Sequence, residues 1–321
     1  MINFYKGKKV LVTGGMGFIG SFVCELLLNK GANVLVTFRK SNFDNIVHIK
    51  KDLKLIKTNL LDYKDAKKAT KNIDAVLNLA SKVAGIQYNI DHPVEMFGDN
   101  VIIAKNMIEA SYRNNVDRFL IVSSACVYPR FASVPTEETE GFIDDPEPTN
   151  LGYGWAKRVA ELMGRFYFQE YGMKVAIARP YNAYGPRDNF DPSVSHVIPG
   201  IIKRVFDGEN PLVVWGSGKQ TRSFLYAEDF ARGLLTVTEK YPVADPINIG
   251  TDEEVTIGNL AKMIVEISGK DIDIKFDTTK PDGQPRRNCD TKKALDKVNF
   301  KAQIRLRDGL ERTIAWYKKQ L

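Results

Sequence analysis

An α/β fold with a doubly wound parallel sheet is what this 321-residue sequence predicts, and three observations carry that prediction. Short apolar runs alternate with longer amphipathic stretches through the first 180 residues. The runs lack the apolar–polar alternation of half-exposed strands, so they read as strands covered on both faces by helices. A glycine-rich turn, GGMGFIG at 14–20, joins the first run directly to the first amphipathic stretch.

Each element has its own signal. Residues 9–13 (KVLVT), 33–38 (NVLVTF), 54–57 (KLIK), 74–80 (DAVLNLA), 118–123 (RFLIVS) and 174–179 (KVAIAR) read as buried strands. Phe18, Ile19, Phe22, Val23, Leu26 and Leu27 recur at helical spacing, and Gly31 is a natural stop for that helix. Parallel strands joined by right-handed helical crossovers give a Rossmann-type core. After residue 180 the pattern changes, and Pro and Gly become dense in YNAYGPRDNFDPSVSHVIPG. Residues 246–249 (PINI) look like one more core strand. The expected division is therefore interleaved. Residues 1–180 plus about 224–255 form a dinucleotide-binding domain, and about 181–223 plus 256–321 form a smaller α/β substrate lobe.

Composition narrows the function classes. With 44% hydrophobic and 26% charged residues the chain is an ordinary globular one. No stretch approaches the roughly 18 consecutive apolar residues of a membrane span, so no membrane partner is expected. The start, MINFYKGKKV, runs straight into a strand, which leaves no room for a signal peptide. Cys24, Cys126 and Cys289 are few, odd in number and far apart, which points to free thiols in a reducing cytoplasm and to no metal site. The net charge is +7, but the lysines are scattered and no basic run is interleaved with aromatics. A solvated lysine-rich surface explains this better than nucleic-acid binding, and a mild positive potential suits an anionic ligand.

The glycine turn is the first functional signal. Gly14 permits a tight turn, Gly17 lets a pyrophosphate approach the backbone, and Gly20 lets helix and strand pack closely. The opening of the helix, Phe18 and Ile19, then offers free N–H groups and the positive end of the helix dipole to the phosphates. An acidic residue after the second strand would select NAD; Arg39 and Lys40 stand there instead and could pair with a 2′-phosphate. NADP is therefore the expected cofactor, with NAD the alternative if both side chains only meet solvent. Asp62, next to Leu61 after the third strand, is placed for the adenine amino group, and Ala80 and Ser81 lie where the fourth strand ends.

The second signal is chemical. The fifth strand ends at Ser123 and Ser124, and downstream comes Tyr153-Gly154-Trp155-Ala156-Lys157. Positions i and i+4 share a helix face, so the phenol and the ammonium point the same way. A free tyrosine titrates near pH 10 and a neighbouring cation lowers that value, which makes Tyr153 an acid–base group for hydride transfer at a carbinol or ketone carbon. Ser124 would hydrogen-bond the same oxygen. Cys126 and His196 sit on loops nearby in sequence order. Alone, each reads as a small hydrophobe or a structural histidine; together they could remove and return protons on carbons beside the ketone.

At these residues the chain resembles the extended short-chain dehydrogenases that modify nucleotide sugars. It is most similar to the GDP-L-fucose synthase family of GDP-4-keto-6-deoxy-mannose 3,5-epimerase/4-reductases. ASKVAGI at 80–86, SSACVYP at 123–129, EPTNLGYGWAK at 147–157, the stretch 182–199, VVWGSGKQTRSF at 213–224 and TTKPDGQPRR at 278–287 carry the resemblance. It implies Ser124, Tyr153 and Lys157 as a reductase trio and Cys126 with His196 as an epimerising pair. It implies a cofactor surface that takes in Ser123, Pro180 and Asn182. It implies Asn182, Arg204, Trp215, Arg222 and Asp282 around a GDP-linked sugar. It also implies a homodimer through two helices, roughly 100–115 and 153–171. Two departures keep an alternative open. The turn carries Met16 where fucose synthases tend to have an arginine, and KQTRSF is nearer to general sugar epimerases such as GDP-mannose 3,5-epimerase, which tends to place a lysine at the position of His196. A non-reducing epimerase is that alternative; a catalytically silent NADP sensor is the other, against which the intact Ser-Tyr-Lys set argues.

Overall fold

The computed structural model describes residues 3–191, 195–280 and 283–321. Its centre is β1 (Lys9–Thr13), where Val10, Leu11 and Val12 are fully buried. Each such side chain stabilises the fold by about 1.5–3 kcal/mol, which is why an unbroken apolar run survives only between two layers of helix. Val10, Leu11 and Val12 lie opposite Val34, Leu35 and Val36 of β2 (Asn33–Phe38) on one side. They lie opposite Ala75, Val76 and Leu77 of β4 (Ala75–Asn78) on the other. β3 (Lys54–Lys57), β5 (Arg118–Val122), β6 (Val175–Pro180) and the strand Val243–Ile249 complete a parallel sheet of seven. Across it the order is Val243–Ile249, β6, β5, β4, β1, β2, β3. The chain winds outward from β1 to β3 and then crosses back to β4. The strand order therefore reverses between β1 and β4, and a crevice opens there at the carboxyl ends.

Helices cover both faces. α1 (Phe18–Asn29) and α7 (Ala227–Lys240) bury Phe22, Val23, Leu27, Phe230 and Leu234 on one side. α2 (Tyr63–Ala69), α4 (Pro93–Arg113) and α5 (Leu151–Tyr171) bury Ala66, Met107 and Ala160 on the other. α3 (Ile86–Asp91) precedes α4, and α6 (Val197–Phe206) follows the Pro-rich stretch. A third core gathers Ile198, Leu212, Leu260 and Leu310 beneath α6 and the helices Ile257–Ser268 and Leu306–Lys318. Ala294, Val298 and Phe300 join the first core, although the sequence expectation grouped 256–321 with the lobe.

Three expectations change in detail. β3 is half-exposed, because it is the sheet edge. The seventh strand begins at Val243, not at Pro246, with a register shift between them. Pro246 is tolerated because this strand is the opposite edge, where a missing N–H breaks no ladder. The fourth and fifth strands end earlier than their apolar runs, at Asn78 and Val122, which releases 79–82 as a loop and 123–127 as a loop closed by one 3-10 turn, Ala125–Val127, over the crevice. Among the described residues no helix is long and apolar enough to cross a membrane.

Candidate active site

The glycine turn sits at the carboxyl end of β1. Gly14 is left-handed at φ +68°, and a Cβ there would lie 3.0 Å from the Ala80 amide nitrogen. At Gly20 a Cβ would sit 2.1 Å from the Gly14 carbonyl oxygen, so only glycine lets α1 start this close to the strand. α1 begins at Phe18 with no side-chain cap from Gly17 and no acidic residue in its first turn. Its leading N–H groups and positive dipole end are thus available for a diphosphate. Arg39 and Lys40 are exposed just beyond β2. Asp62, after the half-buried Leu61, caps α2: its carboxylate accepts the Lys64 amide at 2.7 Å. These residues fit a dinucleotide whose phosphates rest on α1.

Across the crevice, β5 and α5 bring the acid–base residues together. Ser124 ends the strand extension, and its Oγ accepts the Cys126 amide at 3.1 Å, which turns the chain. Gly154 lets α5 pack on that turn, since a Cβ there would meet the Cys126 carbonyl oxygen at 2.4 Å. The Tyr153 phenol lies near the hydroxyls of Ser81 and Ser124, which favour its ionised form, and beside Cys126. Ser81, expected beside the cofactor, donates its hydroxyl proton to Asn100 at 2.7 Å, which fixes it beside the phenol. The Lys157 ammonium donates to the Val122 carbonyl at 2.9 Å and stands 5.2 Å from the centre of the Tyr153 ring.

The electrostatics correct one expectation. Burial pushes the Tyr153 phenol above its ordinary value, helped by Cys126, and the two serine hydroxyls oppose this without overcoming it. The lysine was expected to lower that value, but burial acts on the lysine as well, and its ammonium is pushed down to about 8 despite Cys126 and Glu161. A low-dielectric pocket disfavours either charge. The phenol is therefore neutral at neutral pH and poised as a proton donor.

His196 precedes α6 and its side chain is 62% exposed, with Nδ1 4.0 Å from Oδ1 of Asp188. The Asp188 carboxylate holds the imidazole's pKa above its ordinary value. Of the implied substrate residues, Asn182 donates to the Ser223 carbonyl at 2.9 Å and anchors the lobe to the end of β6, just after Pro180. Arg222 donates to the carbonyls of Thr221 and Gln284, both at 2.7 Å, and is half-buried. Trp215 is 64% exposed at the end of the strand Leu212–Trp215. Arg204 stands apart from these: Glu209 takes its guanidinium at 2.6 Å and the Val213 carbonyl accepts at 2.5 Å. Asp282 lies outside the described residues.

Three features escaped the sequence reading. Ser123 does not present its hydroxyl to the crevice. It is buried and donates at 2.5 Å to Glu161, whose carboxylate takes Arg179 with both oxygens at 2.8 and 2.7 Å. The signal for Glu161 was present, one helical turn beyond Lys157 on the same face. Arg287 lies opposite Arg222 in strand register; burial first and the Arg287 charge second disfavour the charged form of Arg222, and no ion pair joins either arginine to a carboxylate among the described residues. Asp188, third, was read only as part of a Pro-rich loop.

Comparison with known proteins agrees with this geometry. Residues 10–250 match the NAD dependent epimerase/dehydratase family. GDP-L-fucose synthase 1 of Arabidopsis thaliana is 33% identical over 98% of this chain and 95% of its own length. GDP-mannose 3,5-epimerase of the same plant is 30% identical over 98% of this chain and 83% of its own. A solved UDP-N-acetylglucosamine 4-epimerase from Methanobrevibacter ruminantium M1 superposes with a TM-score of 0.89 at 28% identity, covering 98% of this chain and 100% of that one. With a glycine turn on α1, a Ser-Tyr-Lys set across the crevice and similarity along nearly its whole length, the chain belongs to the NAD dependent epimerase/dehydratase family of extended short-chain dehydrogenases.

Proposed function

We propose that this enzyme, a nucleotide-sugar epimerase/reductase, inverts the two carbons flanking a C4 ketone and then reduces that ketone, on a GDP-linked 6-deoxy-4-keto-hexose. The observation that carries this is the placement of the Tyr153 phenol beside Ser81, Ser124 and Cys126, with the Lys157 ammonium 5.2 Å from its ring. A ketone oxygen placed between Tyr153 and Ser124 accepts two hydrogen bonds. The carbons beside it become acidic because their carbanions delocalise into the carbonyl. Cys126 and His196 move those protons. Tyr153 then supplies a proton to the oxygen while the bound nicotinamide cofactor supplies hydride. Positioned acid–base help of this kind is worth roughly 10²–10⁴-fold in rate.

NADPH is the proposed reductant, supported by exposed Arg39 and Lys40 where an acidic residue would favour NADH. The sugar nucleotide's diphosphate is assigned to Arg222, whose forked donors suit oxyanions, and Arg287 joins it. Trp215 offers an exposed ring for the base. A homodimer through α4 and α5 fits their exposed Phe97, Ile102 and Phe166. Three free cysteines, two of them buried, suit a reducing cytoplasm.

The test is incubation with GDP-4-keto-6-deoxy-mannose and either NADPH or NADH. Rapid oxidation of NADPH, slower for NADH, is expected, and no oxidation of either overturns the reductase assignment. Cys126→Ser should block uptake of solvent deuterium at C3 and C5 with cofactor binding intact. The non-reducing reading draws support from the likeness to GDP-mannose 3,5-epimerase. Cofactor copurifying at one per chain with no net redox turnover would favour it.

A further inference from the structure

We propose that Asp188 is the positioning carboxylate of His196. It holds the imidazole through Nδ1, so that the other ring nitrogen carries the proton delivered to the sugar. This rests on the acid–base role given to His196 above.

Asp188 is unusual among the acids of this chain. Its side chain is only 4% exposed. Oδ1 accepts the amide of its neighbour Asn189 at 2.7 Å, while Oδ2 is buried and, among the described residues, has no hydrogen-bond partner. A buried carboxylate oxygen left unsatisfied costs stability and calls for a compensating partner. Among the described residues no lysine or arginine supplies one, and the cation within ion-pair reach of the carboxylate is His196, whose Nδ1 lies 4.0 Å from the other oxygen, Oδ1. The cations that follow on α6 are otherwise engaged, Lys203 with Asp207 and Arg204 with Glu209. Asp188 is also the charged group that acts on the His196 imidazole, and it favours the protonated ring.

The loop around Asp188 is fixed in place. Arg187, a left-handed residue at φ +70°, reaches Ser21 at 3.0 Å and Glu25 at 2.7 Å on α1 and lies 4.2 Å over the Phe22 ring. The carboxylate is thus referenced to the helix that carries the cofactor turn, whereas His196 is exposed and would otherwise be free to rotate. A carboxylate on one ring nitrogen selects the tautomer and orientation of the other.

The chemistry balances within the pair. Cys126, as the thiolate, takes the proton from the carbon beside the ketone, and the C–H electron pair passes into the carbonyl as an enolate. The imidazolium of His196 then gives its proton to the opposite face of that carbon. A C–H bond forms as an N–H bond breaks. The result is a thiol, a neutral imidazole and the inverted centre.

The experiment follows the ring signals of histidine-labelled enzyme by NMR across pH, with His196→Asn assigning its signal among the three histidines. Deuterium uptake by the 4-keto substrate is measured in parallel. In Asp188→Asn the His196 pKa should fall toward the ordinary value, near 6.5. Deuterium uptake should drop about tenfold, with its alkaline limb moved to lower pH. Asp188→Glu keeps the charge and should restore much of both, so it serves if the Asn variant does not fold: a Glu variant with an unraised His196 pKa counts against the proposal. An unchanged His196 titration in Asp188→Asn overturns it. Deuterium uptake that survives His196→Asn would instead overturn the acid–base pair, a failure the titration distinguishes.

Discussion

At Tyr153 two influences oppose each other. Burial raises the phenol's pKa, while the hydroxyls of Ser81 and Ser124 lower it, and burial dominates. A neutral phenol suits the reductive direction, in which it must give up a proton. Lys157 then becomes the group whose charge changes in the working range, because burial has brought its ammonium down to about 8. The sign is direct: the lysine is charged below that pH and neutral above it. With its charge goes the stabilisation of the phenolate that forms as Tyr153 donates. The rate kcat/KM for ketone reduction should therefore hold steady toward neutral pH and fall as pH rises through about 8. Well above that value the fall should approach about tenfold per pH unit. Lys157→Met should be slower throughout and lack this limb. A wild-type profile that stays flat well above that value would show that the ammonium is not the controlling group.

At the scale of elements, the site depends on how closely α5 approaches the turn after β5. A helical Gly→Ala exchange in an exposed interior stabilises by about 1 kcal/mol. At Gly154 the added methyl would meet the Cys126 carbonyl at 2.4 Å and the Pro146 ring at 2.6 Å. Overpacking of this kind costs about 1–3 kcal/mol, so the clash outweighs the propensity gain. Gly154→Ala should lower Tm and, because Cys126 rides on the displaced turn, slow deuterium uptake more than NADPH binding. An alanine variant as stable and as fast as wild type would show that the turn yields freely. This is also where the sequence was and was not readable. Periodicity located β1, α1 and the Tyr153–Lys157 face, because these depend on local spacing. It placed Ser81 with the cofactor and missed that Ser123 turns inward to Glu161, because those facts depend on which strand lies next to which. Arg179 ends an otherwise apolar strand, and only the packed structure shows the carboxylate that neutralises it there. Nor does any local pattern say that the Asn189 amide donates to one Asp188 oxygen while no described residue donates to the other.

Over the whole molecule, the two ligands are expected to rest on different cores, the dinucleotide on α1 and the sugar nucleotide against the second lobe. Arg222 and Arg287 lie opposite each other in strand register, and among the described residues neither has a carboxylate ion-pair partner. Two guanidinium groups facing each other raise the energy of the free protein, and a diphosphate between them would relieve the repulsion. If the diphosphate binds here as proposed, stability given up in the empty state is recovered on binding, as is common where a site is built for charge. Arg287→Met separates the two effects. Without substrate, the variant should melt no lower than wild type, since a like-charge contact is gone. With substrate, it loses a charge-assisted hydrogen bond, worth about 1.5–3 kcal/mol, so KM for the sugar nucleotide should rise about 10- to 100-fold. Kd for NADPH, held on the other core, should stay unchanged. Melting curves, sugar-nucleotide KM and NADPH Kd measured on one preparation decide it. A lower Tm with an unaltered KM would make Arg287 a structural residue of the lobe and remove it from the diphosphate site.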